Sequence, residues 1–95
     1  MHVISKKAWK QAVADDPTLE GPISAWYKIA SNANWKNIND VRSVYPHADF
    51  VEPFTVFNIR GGNYRLIVKI EYAWQMIFVK HIPTHGEYEK GRWKP

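Results

Sequence analysis

The nine residues 64–72, Tyr-Arg-Leu-Ile-Val-Lys-Ile-Glu-Tyr, constrain the fold more than any other stretch. Their alternation puts Tyr64, Leu66, Val68 and Ile70 on one face and Arg65, Ile67, Lys69 and Glu71 on the other, the two-residue period of a β-strand. Gly61-Gly62-Asn63 before them is a turn signal, and residues 55–59, β-branched and aromatic, form the preceding strand. Ala73-Trp74-Gln75 connects the long strand to a third, over residues 76–82. The second half is therefore an antiparallel meander. Such a sheet often has one face covered by helices, which leaves the face carrying Arg65 and Lys69 for a ligand.

The first half supplies the helices. Residues 1–4 read as a short strand, and Ser5 as the N-cap of a helix whose apolar face is Ala8, Trp9, Ala12 and Val13. Lys6 and Lys7 at its start and Asp15 and Asp16 at its end oppose the helix dipole. Asp16 is better placed as the cap of the segment opening at Pro17. Ile23, Trp26, Tyr27 and Ala30 form the stripe of a second helix, with Pro22 in its first turn. Whether a helical turn over residues 17–20 joins it through Gly21 is open from sequence. Trp35 begins a polar connection. Asn39 is placed to cap a short helix with Val41, Val44 and Tyr45 inward and Pro46 at its end. Residues 84–95 read as a polar tail. The class is α+β, with N-terminal helices packed on a small antiparallel sheet.

At 95 residues the chain has room for one domain, residues 1–95. It has no cysteine, which excludes disulfides and thiolate metal sites. No apolar run approaches the ~20 residues of a membrane span, and the first residues lack the apolar core of a signal peptide. These features suggest a cytoplasmic protein without membrane contact. A net charge of +4 favours polyanions as partners, though modestly.

The four histidines, His2, His47, His81 and His85, match no recognised zinc spacing, so no metal and no cofactor are expected. Gly61-Gly62-Asn63 lacks the Gly-Lys-Ser/Thr of a phosphate loop and leads into a strand. No Ser or Cys sits in a nucleophile elbow. What remains is metal-free phosphodiester chemistry. RNA carries its own nucleophile, the 2′-hydroxyl; a protein need only move its proton, stabilise the anionic phosphorane and protonate the departing 5′-oxygen. His85 with Arg65, Lys69 and Lys80 offers the residue types, and Tyr88 a group to orient RNA, stack on a base or share proton transfer. Each also has a structural reading: a salt bridge of Arg65 with Glu71 or Glu52, packing of the tail by Tyr88, and solvated sheet surface for Lys69 and Lys80. For His81 the structural reading is preferred.

The segment Phe57-Asn58-Ile59-Arg60-Gly61-Gly62-Asn63-Tyr64-Arg65-Leu66 closely resembles the hairpin of HigB-type toxins of the RelE/ParE superfamily. Thr84-His85-Gly86-Glu87-Tyr88-Glu89-Lys90 resembles their ending, and residues 1–5, Ala25-Trp26-Tyr27 and Trp35-Lys36-Asn37 are similar too. The resemblance runs in order along essentially the whole chain. It implies a RelE-like toxin domain that cleaves mRNA on the ribosome without metal, silenced by a HigA-type helix-turn-helix antitoxin that represses their shared operon. Residue by residue, it implies that Arg65 supports the scissile phosphate. His85 stands where RelE-type enzymes have an arginine beyond the final strand; an imidazole can exchange a proton near neutral pH, which arginine cannot. Tyr88 lies near the place of their functional tyrosine. Their paired lysines before the hairpin have no counterpart, so Arg60, Lys69 or Lys80 would serve as RNA-binding cations, and the general base stays open. Two other classes remain: a ParE-like toxin that inhibits DNA gyrase and cuts nothing, and a non-catalytic module that binds RNA or protein.

Overall fold

The alternating strand and the helical stripes meet as their periodicities require. The computed structural model describes residues 1–91 and 93, the side chain of Lys6 excepted; Arg92, Lys94 and Pro95, the rest of the predicted polar tail, lie outside the described residues. The order is β1 (His2–Ile4), α1 (Lys6–Asp15), a 3-10 turn (Pro17–Leu19), α2 (Glu20–Asn32), α3 (Ile38–Val44), β2 (Asp49–Val51), β3 (Phe54–Ile59), β4 (Tyr64–Glu71), β5 (Met76–His81) and α4 (His85–Glu89).

The strands form a sheet in the order β1-β5-β4-β3-β2. The predicted meander β3-β4-β5 is antiparallel, and β2 extends it. The sheet is mixed rather than purely antiparallel, because β1 runs parallel to β5. Two features separate these strands along the chain: the helical half and the meander. Direction is then free to follow packing rather than a hairpin.

One face of the sheet meets all the long helices. Phe57 and Ile59 from β3, Leu66 and Val68 from β4 and Ile77 from β5 pack with Ala12, Leu19, Ile23, Trp26, Ala30 and Val41. Phe57 sits at the middle of an aromatic group, with ring centroids 5.5 Å from Trp26, 6.3 Å from Trp35 and 5.1 Å from Tyr45. Trp35 is thus core rather than the start of a polar connection. Tyr27 lies off the buried stripe and leans on Trp9 at 5.3 Å. Asn37, not Asn39, caps α3 by accepting from the Asp40 N–H, so the helix starts earlier; Val41 turns inward and Val44 faces solvent. The 3-10 turn leads straight into α2, with Gly21 in its first turn. Ser5 stands at the start of α1, but its side chain makes no capping bond.

The opposite face carries a smaller apolar cluster, Val56 and Ile67 covered by Trp93, with Val51, Phe54 and Tyr88 around them. The tail therefore closes part of the face that alternation left open. In the pairing of β4 with β5, Ile67 lies opposite His81 and Val68 opposite Val79, so Lys80 is an extra residue in β5. A bulge of this kind bends the strand and re-aims its side chains.

Replacing Phe57 by Ala removes the centre of the aromatic group and should cost about 3–5 kcal/mol. Val44→Ala, at a position expected from sequence to be core but 48 % exposed, should stay within about 0.5 kcal/mol of wild type. Urea unfolding midpoints of the two variants check both.

Candidate RNA-cleavage site

The site is made by the way the chain leaves β5. Residues beyond the strand turn back alongside the start of β4: the Arg65 N–H donates to the Pro83 carbonyl at 2.9 Å, Tyr64 bridges to Thr84, and the His85 N–H donates to the Asn63 carbonyl at 2.8 Å. Residues twenty apart in sequence are thereby locked together by backbone. Helix α4 begins at once. Thr84 accepts from the Glu87 N–H at 3.1 Å, and the Glu87 carboxylate accepts from the Thr84 N–H at 3.0 Å, a capping box. These bonds, the backbone one first, hold the Glu87 carboxyl below its ordinary range. The turn of helix presents His85 and Tyr88 on the side of Arg65.

Arg65, His85 and Tyr88 are brought together. Arg65 Nη1 donates to the Gly62 carbonyl at 2.7 Å and Nη2 to His85 Nδ1 at 3.0 Å, while the guanidinium carbon lies 5.4 Å from the centre of the Tyr88 ring. Arginine only donates, so Nδ1 is the acceptor and the imidazole proton sits on Nε2. Glu89 Oε1 is 3.7 Å from Nε2, too far for a hydrogen bond but an ion-pair distance once the ring is protonated. Neither Glu71 nor Glu52 pairs with Arg65: Glu71 is bound to Lys69 at 3.3 Å. The Tyr88 ring stacks on Trp93, with centroids 5.0 Å apart and planes 10° from parallel. Burial, with Asp49 and Glu89 nearby adding to it and Arg65 opposing, raises the Tyr88 pKa, so its hydroxyl keeps its proton and acts as a donor at neutral pH.

The cations divide differently. Lys69 and Lys80 lie on the same sheet face as Arg65, flanking Phe78; Lys80 Nζ is 5.5 Å from the Phe78 ring centre. Arg60 is turned away from this group. It has φ of 51° in the hairpin and donates to Asp16 at 2.7 Å and to the Thr18 hydroxyl, while its guanidinium lies 5.4 Å from the Tyr64 ring centre. Tyr64 also donates to Asp16, at 2.9 Å. His81 is exposed and meets the edge of Phe54 at 6.5 Å, the structural reading given to it. Among the described residues no group of three or more His, Cys, Asp and Glu side chains converges on a metal position, and no helix is long and apolar enough to cross a membrane.

Two parts of the site were not seen in the sequence. The capping box was legible in Thr84-His85-Gly86-Glu87. The Trp93 platform under Tyr88 had no comparable signal, since a spacing of five is not a helical face.

Helices packed on one face of a five-stranded mixed sheet agree with a RelE-like fold. A family model described as HigB toxin, the RelE-like toxic component of a toxin–antitoxin system, matches residues 19–91, and the chain belongs to that family. It is similar to the mRNA interferase HigB of Escherichia coli O6:H1, 27 % identical over 93 residues that cover 95 % of this chain and 90 % of the relative. It is also similar to the mRNA interferase toxin HigB of Escherichia coli K12 and the mRNA interferase HigB of Shigella flexneri, each 25 % identical over 92 residues, with 94 % of this chain and 88 % of the relative covered. The resemblance drawn from the hairpin and the ending is thereby confirmed.

Asp16 generates a pH prediction. Its hydrogen bonds from the Thr18 hydroxyl and then Tyr64, with the Arg60 charge, outweigh burial and set its pKa below the ordinary 3.8. A lowered carboxylate pKa stabilises the fold above the unfolded value, and the contribution is lost as pH falls through the folded value. The difference in urea midpoint between wild type and Asp16→Asn should therefore be full at pH 7 and shrink as pH falls below about 4.

Proposed function

We propose that this chain is a metal-independent mRNA endoribonuclease that acts on the ribosome, as the toxin of a type II toxin–antitoxin system. The observation that carries the reading is the 3.0 Å contact of Arg65 with His85 at the open end of the sheet. The names of the relatives, mRNA interferases, support it. In this reading residues 1–95 act as one RelE-like toxin domain in the cytoplasm, and a HigA-type helix-turn-helix antitoxin is the silencing partner.

The chemistry follows from the geometry. Arg65 is anchored through Nη1 on a backbone carbonyl, which leaves Nε and the outer edge of Nη2 for the non-bridging oxygens of the scissile phosphate. As the 2′-oxygen attacks phosphorus it loses its proton, and the phosphorane gains negative charge beside the guanidinium. The bond from phosphorus to the 5′-oxygen then breaks, and that oxygen takes up a proton. His85 exchanges one of these protons. When phosphate draws Nη2 away, Nδ1 is released to accept a proton, and Glu89 stands at ion-pair distance from the other nitrogen. Tyr88, stacked on Trp93 and lying under Arg65, orients the guanidinium and offers its hydroxyl to the RNA rather than serving as a base. Lys69 and Lys80 attract the backbone. Arg60 contributes through the hairpin it braces.

Brief induction in cells, followed by mapping of new RNA 5′ ends, tests the assignment. Wild type should create ends inside translated frames, bearing a 5′-hydroxyl. Arg65→Ala and His85→Ala should each lower the rate by a factor of about 10²–10³ while the fold is kept. If both variants cut at the wild-type rate, the assignment of roles is wrong; growth arrest with no new ends would point to another target such as gyrase. In a separate assay, Lys69→Ala and Lys80→Ala should each weaken RNA binding most at low salt, reducing the logarithmic salt slope by about 0.7–1 per lysine.

A further inference from the structure

The β4–β5 hairpin ends in Trp74, which is 76 % exposed, the most exposed of the large apolar side chains among the described residues. It borders an open groove of about 500 Å³ with Lys69, Phe78 and Lys80, on the same sheet face as Arg65. A singly exposed aromatic is ordinary, but Trp74 shares its groove with Met76 and Phe78 between two lysines, and apolar surface rimmed by charge marks an interaction site. Among the described residues neither apolar cluster includes it.

We propose that Trp74 is a base-stacking residue for the RNA strand, several nucleotides away from the cut; this rests on the nuclease reading above. Three observations favour RNA as the occupant. Lys69 and Lys80 rim the groove with positive charge. Glu71 is there too, but it is paired with Lys69 at 3.3 Å, so the rim keeps a net positive charge. Next, Phe78 offers a second ring in the same groove, with Lys80 Nζ 5.5 Å from its centre. Finally, alternating cations and aromatic faces make the usual single-strand platform, tracking the backbone by charge and bases by stacking. Arg65 and Glu71 stand six positions apart along β4, roughly 20 Å, which at ~3.4 Å per stacked nucleotide is at most about six nucleotides.

The test uses the full chain in a reconstituted translation mixture, with messages that carry one abasic nucleotide placed in turn at each of about six positions on either side of the cut. With intact message, Trp74→Ala should raise the toxin concentration for half-maximal cleavage about tenfold, and Trp74→Tyr should restore most of it. A tenfold change is ~1.4 kcal/mol, within what alanine costs at a stacking aromatic. At one position, on one side only, the abasic message should cost the wild type a similar factor and cost Trp74→Ala nothing further. That loss of additivity is what a direct contact gives. If Trp74→Ala matches wild type on intact message, the proposal falls. If it is weaker but no abasic position is coupled to it, Trp74 meets a protein surface and the proposal also falls. Wild type that leaves the intact message uncut would instead sink the nuclease reading, and this proposal with it.

Discussion

Two backbone hydrogen bonds, from Arg65 to Pro83 and from His85 to Asn63, decide where the site is. They seat the chain leaving β5 against the first residues of β4, and everything else at the site is arranged around that seat. Without it Arg65 would be one of several cations on a sheet face and His85, exposed as it is, would have no partner on β4. With it, side chains from two elements are held by main-chain geometry, which has little freedom to drift. The capping box then fixes how α4 departs, and Tyr88 falls beneath the guanidinium because it lies three residues, nearly one helical turn, after His85.

The hairpin that carries Arg65 is braced from behind. Asp16, at the junction of α1 and the 3-10 turn, accepts from Arg60 and Tyr64, residues that flank the turn. Gly61 and Gly62, with φ of 63° and 88°, and Arg60 with φ of 51° give that turn its left-handed backbone. The Gly62 carbonyl so placed accepts from Arg65. A carboxylate on the helical side thus supports, through the turn, the group that would meet phosphate on the other side.

Much of this was legible in the sequence, and the reasons for success and failure are physical. The alternation of residues 64–72 assigned both faces of β4 correctly, because a two-residue period leaves no other arrangement once one face is buried. The α2 stripe placed Ile23, Trp26 and Ala30 inside but overreached at Tyr27, which the width of the stripe allows at its margin. Trp35 was misjudged because its neighbours are polar: Phe57, which it stacks on, lies far away in sequence. β2 and the parallel pairing of β1 had no local signal, since both depend on what the rest of the sheet presents. The bulge at Lys80 is of the same kind, a property of two strands and not of one. For the site, residue types and resemblance named Arg65, His85 and Tyr88, and the structure brings these together. Arg60 was grouped with the cations from charge alone, and only the tertiary contact with Asp16 separates it.

The arrangement at Arg65 has a cost that explains its form. In the free protein Nη2 of the guanidinium is held by the imidazole, so in the proposed mechanism a phosphate that draws Nη2 to itself displaces that hydrogen bond. Because the imidazole acceptor is neutral, that bond lacks the ion–ion attraction of the one with phosphate that would replace it. In that mechanism the exchange would run toward substrate and in the same movement free Nδ1. A carboxylate in place of His85 would hold Arg65 more tightly and compete with phosphate; an apolar residue would leave the guanidinium without its partner on α4. In the proposed mechanism an imidazole at that position keeps the arginine aimed, lets it go, and would become available for proton transfer when a phosphate arrives.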